Sequence, residues 1–302
     1  MKVRSLVFIS LALASVSAHA AFTRLVTLGD SLNDTGNVYG ISGGAQPPAP
    51  YWNGRFSNGP IWVEGLANTL GLSATAAVGG GTNFAWGGAE LNPNSPNSTL
   101  GTPNLGTQIQ QIQLAGLTLS ASDLVIVSGG GNDFFNGATN PVQVAGWLTG
   151  HMQSLYNLGA RNFLVPNLPP LGFTPGYLGG ANQAGANALS LGFNAALAGN
   201  LAAFRGANAG STVLELNIQQ LFQDVLANPA GYGFTNVTQN YIVNGAGANA
   251  DQWLFFDNVH PTRAGHALVA QRAAQLVPEP SAGVVVAMGL ALLARRRRVN
   301  VG

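Results

Sequence analysis

The 302-residue chain is 46% hydrophobic but only 8% charged and contains no cysteine, which excludes disulfides, a thiolate nucleophile and Cys-ligated zinc. Its only lysine is Lys2, so Schiff-base, Ser-Lys and P-loop chemistry is excluded from the body. Between positions 21 and 277, six arginines face ten carboxylates, a charge of −4; with no basic face for phosphates, no nucleic-acid partner is expected.

Residues 1–20 combine Lys2 and Arg4, an apolar run over 6–16 and Ala18-His19-Ala20. This order predicts a signal peptide, with signal peptidase as a processing partner and a mature chain from Ala21. Residues 25–28 read as a strand buried on both faces of a parallel sheet. Gly29 permits a sharp bend, and Asp30, Ser31, Asn33 and Asp34 then crowd the turn with capping groups. Ser31, at a strand's carboxyl end, is either a nucleophile or a helix cap.

A loop rich in Gly, Pro and aromatic residues spans 40–53, where it can border a cleft, and 53–59 form a turn. The apolar spacing predicts a helix over 60–70, a second strand over 75–85 interrupted by three glycines, an exposed loop over 92–104 and a helix over 105–117. The clearest strand, 124–128, exits into Gly129-Gly130-Gly131-Asn132-Asp133. Beyond it the pattern predicts helices at 142–158, 184–205, 219–226 and 262–276, strands at 163–165 and 213–216, and a long loop at 228–250. The alternation argues for an α/β fold, a three-layer sandwich with a parallel sheet, in one domain over 21–277.

Residues 278–302 hold Pro278-Glu279-Pro280, an apolar run over 282–294 and Arg295 to Arg298. Thirteen apolar residues fall short of the roughly 20 a spanning helix needs, and the arginines would stay cytoplasmic, giving transient anchoring. The segment resembles the PEP-CTERM sorting signal of Gram-negative bacteria. That resemblance implies an exosortase-type processing protease and release to the cell surface or the extracellular matrix; the plain reading is a C-terminal anchor.

A serine nucleophile needs a base, and the base an orienting group. Asp257-Asn258-Val259-His260-Pro261 offers both on one turn, with Phe255-Phe256 pinning that turn to the core. Otherwise Asp257 caps the last helix and His260 is a surface histidine. Asn132 and either Gly88 or Gly87 can donate to an oxyanion, or simply make turns. His151 and His266 read as structural; the histidines fit no metal pattern, and no metal site or cofactor is expected. The serine does not sit in a G-x-S-x-G elbow.

Together, Gly29-Asp30-Ser31-Leu32, Gly88, Gly130-Gly131-Asn132-Asp133 and Asp257-x-x-His260 resemble the four blocks of the GDSL, or SGNH, hydrolase family. Gly54-Arg55-Phe56-Ser57-Asn58-Gly59 and Asn167-Leu168-Pro169-Pro170 resemble its lipase, lecithinase and hemolysin-like branch. The resemblance implies a flavodoxin-like fold with a five-stranded parallel sheet and helices on both faces. It implies an esterase or lipase with no cofactor; with the two ends, the expectation is an exported enzyme whose substrate is a lipid ester, from the branch, or acetylated glycan, from the matrix-directed tail. In it Ser31 attacks, His260 is base then acid, Asp257 orients His260, and the Ser31 N–H, Gly88 N–H and Asn132 amide bind the oxyanion. The competing reading is a catalytically idle surface or matrix-binding protein on the same fold. Tyr51, Trp52, Phe56, Trp86, Phe134 and Phe135 either line an acyl site or belong to the core.

Overall fold

The computed structural model describes residues 22–95 and 103–278. The expected signal peptide and all of the expected tail beyond Pro278 lie outside the described residues. Four strands, β1 (Arg24–Leu28), β2 (Asp123–Val127), β3 (Asn162–Pro166) and β4 (Thr212–Leu216), form a parallel sheet in that spatial order. In register, Val26 faces Val125, which faces Phe163, which faces Val213. At the foot of the sheet Arg24 clamps the buried Asp123 carboxylate through two bonds of 2.9 and 2.7 Å.

The helices among the described residues are α1 (Asn37–Ile41), α2 (Trp62–Leu70), α3 (Leu105–Leu114), α4 (Gly131–Phe135), α5 (Pro141–Asn157), α6 (Gln183–Ala207), α7 (Ile218–Ala227), α8 (Tyr241–Asn244) and α9 (Arg263–Leu276). The two-residue period of each strand divides the core between the faces. Val26, Leu28, Val125, Val127, Phe163 and Val165 pack against α3, α5 and α6. Leu25, Leu124, Ile126, Leu164 and Leu216 pack against α2, α7 and α9. Burial of such side chains contributes about 1.5–3 kcal/mol each, and β2, flanked by β1 and β3, is buried along its whole length.

The expected fifth strand is a correction: among the described residues the sheet has four. Within 75–85 the chain turns through a 3-10 helix at Ala77–Gly79. Only 82–86 then follows β1, with bonds from Thr27 N–H to Thr82 (3.1 Å), Phe84 N–H to Thr27 (2.7 Å) and Trp86 N–H to Gly29 (3.0 Å). On its outer side the Asn37 amide takes the carbonyls of Asn83 and Ala85, each at 2.8 Å, and the Asn83 side chain folds back onto Ala85 N–H. Side-chain amides thus replace a regular ladder. The segment still lies on the outer edge of β1, where a flavodoxin-like order 2-1-3-4-5 has its strand 2.

The region 228–250 is also more ordered than a loop. It contains a 3-10 turn at Pro229–Tyr232, strand β5 (Asn236–Asn240), and α8. The β5 strand pairs in parallel with β6 (Trp253–Phe255) in a second, two-stranded sheet. β5 buries one apolar side chain, Val237, which leaves no alternation for a sequence pattern to register. No helix among the described residues is long and apolar enough to cross a membrane.

Candidate active site

The carboxyl ends of β1 and β2 and the 256–261 turn meet at one edge of the sheet. Leaving β1, the chain bends at Gly29, where a Cβ would come within 2.2 Å of Asn33 Nδ2. Asn33 cannot yield readily, because its Oδ1 accepts the Trp62 indole N–H at 2.8 Å and its carbonyl accepts the Asn83 amide at 2.7 Å. Gln108 fixes Gly29 on both sides: its Oε1 accepts Gly29 N–H at 2.9 Å and its Nε2 donates to Gly29 O at 2.8 Å. This brings Ser31 to the floor of a cleft of about 190 Å3, whose walls include Leu32, Phe56, Phe135, Leu171 and His260.

The 256–261 turn is closed by Phe256 N–H to His260 O at 2.8 Å and by a bridge between Phe255 and Pro261. Asp257 and His260 therefore project from one tight turn. Thr262, not Asp257, caps the last helix, with its hydroxyl also bonded to Trp253 O at 2.6 Å. The neighbouring 53–59 turn is fastened to this strap by Ser57 Oγ to Pro261 O (2.8 Å) and Arg263 N–H to Asn58 Oδ1 (2.7 Å).

His260 Nδ1 lies 2.6 Å from Asp257 Oδ2, and Nε2 lies 2.7 Å from Ser31 Oγ. A carboxylate only accepts, so Nδ1 carries the proton and Nε2 is free to accept from the serine hydroxyl. Burial pushes the Asp257 pKa up, but the His260 charge and the hydrogen bonds from His260 and Tyr51 outweigh it and hold it at about 2. Asp30, beside the serine, goes the other way: burial raises its pKa against the Leu32 N–H and the His260 charge.

On the opposite wall, Asn132 Nδ2 donates to Ala89 O at 2.9 Å, which leaves its second amide proton for the cleft. Gly88 lines the cleft. Gly87 does not serve there, because its N–H is bonded to Asp34 Oδ2 at 3.0 Å. A Cβ at Gly87 would also strike the Phe56 ring at 2.4 Å. Asp34 takes Gly36, Asn37 and Val38 N–H as well, so one buried carboxylate ties α1 to the glycine loop. Asp133 holds the same loop from α4 through Leu91 and Asn92 N–H, each at 2.9 Å. Burial raises the Asp133 pKa to about 6 despite those bonds.

The structure brings Ser31, Asp257, His260, Gly88 and Asn132 together. His151 and His266 stand apart in packing roles. His151 bonds Leu91 O at 2.7 Å; His266 receives Trp62 N–H, and burial lowers its pKa to about 3, so it is neutral. Of the aromatic residues, Phe56 and Phe135 line the cleft, while Trp86 and Phe134 are buried. No group of three or more His, Asp or Glu among the described residues could hold a metal ion.

Asp34 caps as its place in the turn suggests, whereas the contacts of Gln108 with Gly29 and of Tyr51 with Asp257 were not anticipated from the sequence. Gln108 carried a signal: it occupies the buried stripe of α3 with Leu105, Ile109 and Ile112, where an amide needs a partner. Gln108→Leu would keep the volume but leave Gly29 N–H buried without an acceptor. The expected cost is about 1–3 kcal/mol, read by urea unfolding.

A model of the family described as GDSL-like lipase/acylhydrolase matches residues 25–273. The chain is 30% identical over 328 residues to the esterase EstA of Pseudomonas aeruginosa, with 90% of this chain and 49% of that protein covered. It is 32% identical over 278 residues to an acetylesterase of Thermothelomyces thermophilus, covering 83% of this chain and 86% of the relative. The chain thus spans about half the length of the Pseudomonas esterases it matches. Among solved structures, LAE5, an alpha/beta hydrolase enzyme from the metagenome of Lake Arreo, superposes with a TM-score of 0.52 at 16% identity, covering 86% of this chain and 98% of that one. That likeness concerns the fold alone.

Proposed function

Because the chain belongs to the GDSL-like lipase/acylhydrolase family, we propose that it hydrolyses carboxylic esters through a covalent acyl-enzyme on Ser31. The observation that carries this reading is the unbroken hydrogen-bond chain from Ser31 Oγ through His260 to Asp257, at 2.7 and 2.6 Å. In the first half-reaction His260 Nε2 takes the Ser31 proton as Oγ attacks the ester carbonyl carbon. The oxygen then carries the negative charge, held by the Ser31 and Gly88 N–H groups and the Asn132 amide. Collapse of this intermediate breaks the bond to the alcohol, which leaves with the proton from His260. Water then attacks the acyl group by the same steps and frees the acid.

Activity is expected to fall on the acid side with a slope of one proton. The protonated imidazole cannot accept from Ser31, whereas Asp257, held at about 2, is already ionised there. A rate that does not fall as the solution is made acid contradicts His260 as the base. The apolar walls Leu32, Phe56, Phe135, Leu168 and Leu171 suit an acyl chain or the apolar face of an acetylated sugar. A chain-length series of p-nitrophenyl esters, run beside acetylated glycan, separates these two substrate classes, and a well-folded chain inert to all of them overturns the proposal.

The protein is further proposed to be exported, with residues 1–20 removed by signal peptidase. The PEP-CTERM-like tail, 278–302, would anchor it transiently before an exosortase-type protease releases it to the surface or matrix of a Gram-negative-type cell. The charge and apolar order of both ends supports this. Mass spectrometry of extracellular protein is expected to find a chain beginning at Ala21 and lacking the arginine cluster.

A further inference from the structure

We propose that Tyr51 is a positioning residue for this site, its phenolic hydroxyl holding the Asp257 carboxylate in line with His260 and moderating its pull on the imidazole; the inference rests on the ester-hydrolase reading above. The Tyr51 hydroxyl lies 2.5 Å from Asp257 Oδ2, across 206 positions of sequence. It shares that oxygen with His260 Nδ1, at 2.6 Å. The other oxygen, Oδ1, accepts the N–H groups of Val259 (2.8 Å) and His260 (2.7 Å). Three of the four donors therefore belong to the turn that carries the carboxylate, and all three move with it. Tyr51 alone of these four references the carboxylate to another part of the fold.

The ring is fixed where this role needs it. Tyr51 meets Phe56 and Phe256 edge-on, with centroids 6.1 and 5.3 Å away. Phe56 in turn lies against the His260 ring at 5.4 Å. Burial, the Asp257 charge and the shared hydrogen bond all raise the Tyr51 pKa, so the hydroxyl stays protonated and stays a donor. Tyr51 is not among the residues that line the cleft, so it acts on the chemistry through Asp257.

A carboxylate that shares its lone pairs with a phenol is a weaker partner for the imidazolium. Removing the phenol strengthens that partnership and favours protonated His260. The other ionisable groups that feel the His260 charge are Asp30, next to the serine, and His266 on α9.

In Tyr51→Phe the acid limb of the kcat/KM profile is expected to move to higher pH by about half to one unit. At the plateau kcat should fall about 10-fold, with KM unchanged. A 3-fluorotyrosine placed at position 51 keeps the ring packing and makes a stronger donor, so the limb should move to lower pH. Limbs that stay in place in both proteins overturn the proposal, even if kcat falls. This failure is distinct from that of the hydrolase reading: it leaves a parent chain that hydrolyses esters and is silenced by Ser31→Ala, whereas a parent inert to esters removes both.

Discussion

Ser31→Ala is expected to lower kcat for p-nitrophenyl esters by about 10^5-fold or more, while the thermal unfolding midpoint stays near that of the parent. The loss is chemical, because Oγ, 2.7 Å from His260 Nε2, is the atom that would bond to the acyl carbon. The fold should tolerate the change: the hydroxyl's partner faces the cleft, where water can replace it, and no buried group is orphaned. Adding His260→Ala should cost little more, since an unactivated hydroxyl and a base without a nucleophile are nearly equally ineffective. The residual rate reports what the Gly88 and Asn132 donors achieve alone. A serine-directed phosphonate should label the parent once and leave Ser31→Ala untouched. Undiminished turnover by the variant overturns Ser31 as the nucleophile.

The sheet and its flanking helices were legible because apolar periodicity is local. Four strands and the long helices follow directly from runs such as 124–127 and 142–155. What was lost had no local signature. The segment beside β1 bonds to it through its main chain, but its outer side is occupied by the Asn37 amide, 46 and 48 positions away in sequence, and by the Asn83 side chain. The segment 236–240 pairs as a strand although only Val237 and Asn240 are buried. The motif spacing singled out Ser31, Asp257 and His260, which the structure places in one hydrogen-bond chain, but it left the choice between Gly87 and Gly88 open. That choice depends on Asp34, whose carboxylate reaches 53 positions on to take Gly87 N–H. Tyr51 reads from sequence as a candidate for an acyl wall or the core; its bond to Asp257 emerges only when the 40–53 loop is folded over the strap.

Asp257→Asn is expected to lower kcat by about 10^4-fold with the fold intact. The carboxylate accepts four hydrogen bonds: Val259 and His260 N–H on Oδ1, His260 Nδ1 and Tyr51 on Oδ2. An amide has one accepting oxygen, so one pair of donors must be disappointed. If the oxygen keeps the two backbone N–H groups, the NH2 faces His260 Nδ1 and the Tyr51 hydroxyl. The imidazole then adopts the tautomer with Nδ1 as acceptor and Nε2 protonated, and Nε2 can no longer receive the Ser31 proton. If the oxygen faces the imidazole, NH2 is set against two backbone N–H groups at hydrogen-bond distance, which is repulsive on both contacts. The first arrangement is the lower in energy, so the ring remains in place in the wrong protonation state. This separates loss of rate from loss of structure: the variant should keep the parent's circular dichroism and bind ester competitors normally, but turn over about 10^4-fold more slowly than the parent. Asp257→Asn with near-parental kcat would mean that the tautomer of His260 is set by some other group, and the role assigned to the carboxylate would be wrong.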